Sequence, residues 1–150
     1  MMKIPLKINL VPEHYRISVN INVIPRSIHA RPLLIEFVVD TGSPCTLISF
    51  NDAKRLNIPI SKLSKVNPNV SLGSRKFERY LLPDVDLCLK DEKGDIIKIK
   101  SKSLTVLKPT TSLTQGGMTP SILGWDFLLS NNFRLVLDAP NQESYLERVD

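Results

Sequence analysis

Leu33-Leu34-Ile35-Glu36-Phe37-Val38-Val39-Asp40-Thr41-Gly42-Ser43 is the stretch on which the fold turns. Leu33, Ile35, Phe37 and Val39 fall at period two, the pattern of a half-buried strand. The strand runs straight into Asp40. A carboxylate placed directly after buried apolar residues is costly to desolvate, so something must hydrogen-bond it. Such a site is a functional candidate. Thr41 and Ser43 bring hydroxyls beside it, and Gly42 lets another backbone come close. The same residues also suit a plain turn at a strand end. An Asp-[Thr/Ser]-Gly triplet arises by chance in roughly one chain of this length in twenty.

Working outward, the same alternation recurs. Tyr15, Ile17, Val19, Ile21 and Val23 predict a strand before a loop over Pro25 to Pro32. Thr46 to Phe50 reads as a short strand, and Asp52 to Leu56 as a short helix capped by Asn51 or Asp52. Ser61 to Ser74 is polar and reads as a mobile hairpin or loop. Phe77 to Leu89 and Ile96 to Leu107 are extended, joined by a turn at Asp91 to Asp95. Lys108 to Thr119 is loop-like. Trp125 to Ser130 fits one or two helical turns, and strands follow at Phe133 to Asp138 and Ser144 to Val149. The class is mainly β, with a closed or folded-over sheet and two short helices. No repeat or boundary divides residues 1–150, so one domain is expected.

Composition narrows the classes. Of 150 residues, 42% are hydrophobic and 23% charged, enough for a packed core. No run approaches the ~20 apolar residues of a membrane span. Met1 to Lys7 does not read as a secretory signal, and Cys45 and Cys88 are too few for a disulfide scaffold. A cytoplasmic protein with reduced, buried thiols is expected. The net charge is +5, but no basic run is interleaved with aromatics, so no nucleic acid is expected as partner. Lys98, Lys100 and Lys102 read as one solvated strand face, opposite Ile97 and Ile99. His14 and His29 lack partners at metal-ligand spacing, so no metal and no cofactor are expected.

A second pattern stands about eighty residues after the first: Ile122-Leu123-Gly124, then Trp125-Asp126-Phe127-Leu128. The pair, in this order, resembles the retropepsin-like aspartic proteases over roughly Leu33 to Asp138. The resemblance implies an acid-protease barrel, a flap hairpin over about Asn67 to Tyr80 with its bend at Gly73, and a short C-terminal helix. It also implies a polypeptide substrate bound as a strand.

Aspartic proteases need two carboxylates sharing one proton, because like charges about 3 Å apart do not both ionise cheaply. One acts as base on a water while the other acts as acid toward the amide. The chain holds one Asp-Thr-Gly, so the resemblance implies a C2 homodimer in which Asp40 meets Asp40 of a second copy. By the same resemblance Thr41 braces the two loops across the axis, Gly42 admits the substrate backbone, and Ile122 helps line a substrate pocket. A Ser43 hydroxyl bonded to the carboxylate would favour its charged form and activity on the acid side. The terminal strand Ser144 to Val149 is the expected intersubunit strand, with the N-terminal strand as the alternative. Retroviral members carry acidic residues and a bracing arginine where this chain has Pro44, Cys45 and Trp125. Trp125 is expected in the core. The departures leave open a catalytically weak module that binds peptides and dimerises through the same fold. The charge alone suggests a third class, a nucleic-acid-associated protein.

Overall fold

The computed structural model describes residues 1–12, 14–28, 30–111 and 119–149, with residue 14 described by its backbone alone. His29 and the Gly116-Gly117 part of the expected loop lie outside the described residues. Eleven strands and two short helices follow in order among the described residues: β1 (Met2–Pro5), β2 (Lys7–Val11), β3 (His14–Pro25), β4 (Leu33–Val39), β5 (Leu47–Ile48), α1 (Phe50–Arg55), β6 (Ser64–Leu72), β7 (Arg75–Lys90), β8 (Ile96–Pro109), β9 (Ser121–Leu123), α2 (Trp125–Ser130), β10 (Phe133–Asp138) and β11 (Glu143–Arg148). A 3-10 turn at Ile60–Lys62 follows α1.

The strands form two sheets. Eight of them run in the order β2-β3-β4-β9-β5-β8-β7-β6, and β3 also pairs with β7. That extra pairing folds the sheet back on itself. Its outermost strands, β2 and β6, do not pair with each other, so the expected closed barrel is a folded-over sheet with two edges. The second sheet has the order β1-β11-β10.

Alternation places the core. Val19, Ile21 and Val23 of β3 are buried, as are Ile35 and Phe37 of β4, against Leu82, Leu87, Leu89, Val106 and Leu123. Tyr15 departs from its expected place, standing 71% exposed where β3 leaves the core. Ile99 is buried between exposed Lys98 and Lys100, as the alternation requires. Asp86 is buried too. Arg26 and Lys98 reach its carboxylate from the rim. Burial alone would raise its pKa, but the two cations more than offset that and hold it below the usual carboxylate range.

Several boundaries differ from the sequence expectation for physical reasons. Ser49 rather than Asn51 or Asp52 caps α1, its hydroxyl accepting from the Asp52 amide at 3.2 Å. The helix therefore starts at Phe50 and shortens the preceding strand to Leu47–Ile48. Of the two expectations for the polar run, hairpin or loop, the structure shows the hairpin: Ser64–Leu72 is a strand, β6, paired antiparallel with β7. As an edge strand it needs apolar residues on one side only, and Val66, Val70 and Leu72 supply them. β1 and β2 had no counterpart in the pattern, being short and broken by Pro5.

The terminal sheet overturns the expected intersubunit strand. β11 is the central strand, with Ile4 of β1 and Leu135 of β10 both opposite Leu146. Both of its hydrogen-bonding edges are used within the chain, so Ser144 to Val149 has no free edge for a second copy. Leu146 and Ile4 are buried in the same core as Ile21 and Phe37. No helix among the described residues is long and apolar enough to cross a membrane.

Candidate active site

β4 and β9 run parallel, Val39 beside Leu123. This register delivers the end of β4 to the turn into α2. The Asp40 amide donates to the Leu123 carbonyl at 3.1 Å, extending the pairing by one residue. Asp40 is thus fixed at its backbone by the second sequence motif. Its side chain is half-buried, while Thr41 and Gly42 are exposed.

The loop then turns back. The Ser43 amide donates to the Asp40 carbonyl at 3.1 Å, and the Gly42 amide donates to Asp40 Oδ1 at 2.8 Å. That amide is the donor the carboxylate required. A Cβ added at Gly42 would lie 3.1 Å from Asp40 Oδ1, so glycine keeps this approach open. Ser43 differs from expectation. Its hydroxyl donates to the Cys45 carbonyl at 2.7 Å, so it shapes the loop rather than solvating Asp40.

The N-terminus of α2 clamps the loop from the other side. The amides of Trp125 and Asp126 donate to the carbonyls of Ser43 and Pro44 at 3.0 and 3.1 Å. The Trp125 indole N–H donates to the Thr41 carbonyl at 2.6 Å. Asp126 takes the Thr46 amide at 3.0 Å and the Thr46 hydroxyl at 2.7 Å, while that hydroxyl accepts from the Gly124 amide at 3.0 Å. Gly124 is required by close approach. A Cβ there would lie 2.5 Å from the Cys45 carbonyl oxygen and 2.8 Å from that of Ser43.

Trp125 is therefore not a core residue. It is 48% exposed, lying beside Thr41 with its indole N–H engaged. Where the family resemblance places an ionic brace, this chain uses an indole and a Thr46–Asp126 pair. The sequence reasoning passed over Thr46 and Asp126. Their signal was present, since an acidic residue in a helix's first turn readily accepts hydrogen bonds from a neighbouring loop.

Ile122, Leu47, Leu107 and Phe77 form a small apolar cluster of their own, with Cys45, Val70 and Leu72 packed on it. Ile122 is thus beside the Asp40 loop, and the β6–β7 hairpin leans on the same cluster. Gly73 stands in the hairpin turn with φ +64° and open space around it. Both cysteines are free and half-buried, less enclosed than expected.

A scan against models of protein families finds no match to this sequence, and a search of curated proteins finds none either. Solved structures do match. A retropepsin-like aspartic protease from Rickettsia conorii aligns with a TM-score of 0.56 at 19% identity, covering 96% of this chain and 89% of that one. The EIAV protease in complex with the inhibitor HBY-793 aligns at 17% identity and TM-score 0.49, covering 86% of this chain and 100% of that one. The retroviral protease-like domain of Ddi1 from Leishmania major aligns at 15% identity and TM-score 0.46, covering 99% and 90%. The Rickettsia match carries the comparison: this chain has the retropepsin-like fold.

Proposed function

We propose that this chain, acting as one domain over residues 1–150, is an aspartic endopeptidase that works as a C2 homodimer. The observation that carries the proposal is the single Asp40-Thr41-Gly42 loop, held by Leu123 and Trp125 in a retropepsin-like fold. A twofold axis beside this loop brings Asp40 against Asp40 of the second copy. The two carboxylates then hold one proton between them. The ionised one takes a proton from a water, whose oxygen attacks the scissile carbonyl. The protonated one supplies the proton that the carbonyl oxygen gains. The carboxyl that took the water's proton passes it to the leaving nitrogen as the C–N bond breaks and the carbonyl re-forms, its hydroxyl proton returning to the other carboxylate. No metal or cofactor enters the reaction.

Gly42 leaves room for the substrate backbone, and the hairpin, with Gly73 at its bend, closes over it. Ile122 lines a pocket for an apolar side chain. Because the reaction needs the singly protonated pair, cleavage belongs on the acid side of neutrality.

The test is cleavage of an unfolded protein from about pH 3 to pH 7 by the native chain and by Asp40→Asn. The expected result is acid-side cleavage, abolished by the substitution and blocked by a transition-state mimic. A folded dimer that cleaves nothing at any pH would instead favour a peptide-binding module.

A further inference from the structure

Asp40 leaves β4 between two neighbours, β3 on one side and β9 on the other. The β3–β4 register sets Ser18 opposite Val38, and counted on from there it sets Arg16 level with Asp40. The β2–β3 pair runs past that level. Asn9 lies opposite Arg16, Leu10 opposite Tyr15 and Val11 opposite His14. From Asn9 to Val11 the pair reaches about 7 Å beyond Asp40 at the usual rise per residue.

The alternation that buries Val19, Ile21 and Val23 continues into this overhang. Ile17 packs half-buried on the core, and its partner Ile8 is half-buried too. Tyr15 and Leu10 come next on the same face, 71% and 47% exposed. Arg16 lies on the other face, 3.6 Å from Glu36. An apolar cross-strand pair thus stands uncovered on the β3 side of the Asp40 loop. The exposed indole of Trp125 stands on the β9 side.

Two Asp40 carboxylates that share a proton lie about 3 Å apart. The overhang is longer than that gap, so it must pass alongside the second copy. The direction of the twofold axis decides what it meets there. Leu123 and Ile48 face the main core, whereas Ile122 and Leu47 face the small cluster on which Val70 and Leu72 of β6 pack. The β6–β7 hairpin therefore covers the sheet face opposite the core. Two such hairpins close over one substrate only if the axis points out of that face. Rotation about such an axis exchanges the two sides, so the β3 side of one Asp40 loop meets the β9 side of the other.

We propose that Leu10 and Tyr15 of each copy pack on the partner subunit's Trp125, forming the apolar contact that holds the two Asp40 loops together. The inference rests on the homodimeric reading of the site for its axis. Its own support is the overhang and the uncovered pair. Taking a tyrosine, a leucine and an indole out of water at two symmetric places favours association, and aromatic anchors commonly dominate the energy of an interface.

Dimerisation of the full chain is read by analytical ultracentrifugation, with Trp125 emission followed beside it. Tyr15→Ser and Leu10→Ser should each weaken the dimer by about tenfold or more. Both side chains are exposed in the single chain, so the melting temperature of dilute protein should hardly move. Leu34→Ser removes a similarly exposed leucine at the far end of β4 and should leave the dissociation constant unchanged. Benzoylphenylalanine at position 15 of a heavy-isotope-labelled chain should crosslink to the partner subunit's Trp125 segment in an unlabelled one. A dimer as tight in both serine variants as in the native chain, or a crosslink that maps away from that segment, overturns the inference and leaves the protease reading standing. So does a raised KM with unchanged dimerisation, which would assign the pair to the substrate. A native chain that stays monomeric at every concentration overturns both. A dimer that needs Leu10 and Tyr15 but cleaves nothing supports the inference and refutes the protease reading.

Discussion

Replacing Gly124 by alanine tests whether the two motifs work as one unit. The added Cβ would meet the Cys45 carbonyl oxygen at 2.5 Å, its carbon at 2.6 Å and the Ser43 oxygen at 2.8 Å, where ordinary contact begins at 3.4 Å. All three are backbone atoms, so no side chain can swing aside. The Asp40 loop and the start of α2 must separate by about 0.9 Å, the difference between 3.4 and 2.5. The Trp125 amide to Ser43 bond and the Gly124 amide to Thr46 bond, both 3.0 Å, cannot survive that shift. Two such bonds at about 1 kcal/mol each, plus residual crowding, come to roughly 2–4 kcal/mol. For a chain of this size the melting temperature should fall by about 6–12 °C. If the Asp40 loop is catalytic as proposed, a displacement near 1 Å there should also reduce kcat by on the order of 10²-fold. Thermal melts by circular dichroism and peptide cleavage read the two effects. A Gly124→Ala protein as stable and as active as the native one would show that the loop and α2 are not mutually locked.

Three further outcomes follow from the same geometry. Thr46→Val keeps the shape but leaves the Gly124 amide without its acceptor and takes one of two donors from Asp126 Oδ1, which keeps the Phe127 amide; urea unfolding should show a loss of about 1–3 kcal/mol. Trp125→Phe keeps an aromatic ring but removes the donor to the Thr41 carbonyl; a loss of about 0.5–1.5 kcal/mol by urea unfolding, with a several-fold drop in kcat and little change in KM, is expected. Asp86 has its pKa lowered in the folded chain from 3.8, so its ionised form favours folding. That contribution is present at neutral pH and is lost as pH falls below about 3.8 through the folded value. Asp86→Asn should be less stable than the native chain at pH 7 and show a shallower decline in acid, measured by melting temperature against pH.

The alternation at Val19, Ile21, Val23, Ile35 and Phe37 was legible because these strands bury one face and expose the other. Asp40 was legible because a carboxylate at the end of such a strand demands donors. The details of donation were not. Ser43 and Gly42 are both plausible donors in sequence, and only the path of the loop decides that the amide of Gly42 reaches Oδ1. The site of Trp125 was misjudged because a lone indole in an apolar segment ordinarily packs inward. Here its N–H finds the Thr41 carbonyl across 84 residues, a contact no local pattern announces. The terminal sheet was hidden for a similar reason. β1, at the start of the chain, pairs with β11 at its end, and strand pairing over that separation has no signature in either segment.

That terminal sheet changes what a dimer must be made from. With β11 enclosed by β1 and β10, a second copy cannot pair at β11, and the proposed dimer would instead be held around the Asp40 loops. Trp125 is bonded to Thr41 of that loop and is the chain's one tryptophan, 48% exposed in the single chain. A twofold axis that joins the Asp40 carboxylates must pass close to it and remove water from its ring. Its emission should therefore shift to the blue as protein concentration rises, because an indole leaving water loses solvent relaxation. If Asp40 needs its twin, cleavage per chain should rise over the same concentration range, and both curves should fit one dissociation constant. Asp40→Asn should keep the emission shift and lose the cleavage. A blue shift that saturates while activity stays proportional to chain concentration throughout would separate dimerisation from catalysis and refute the shared site.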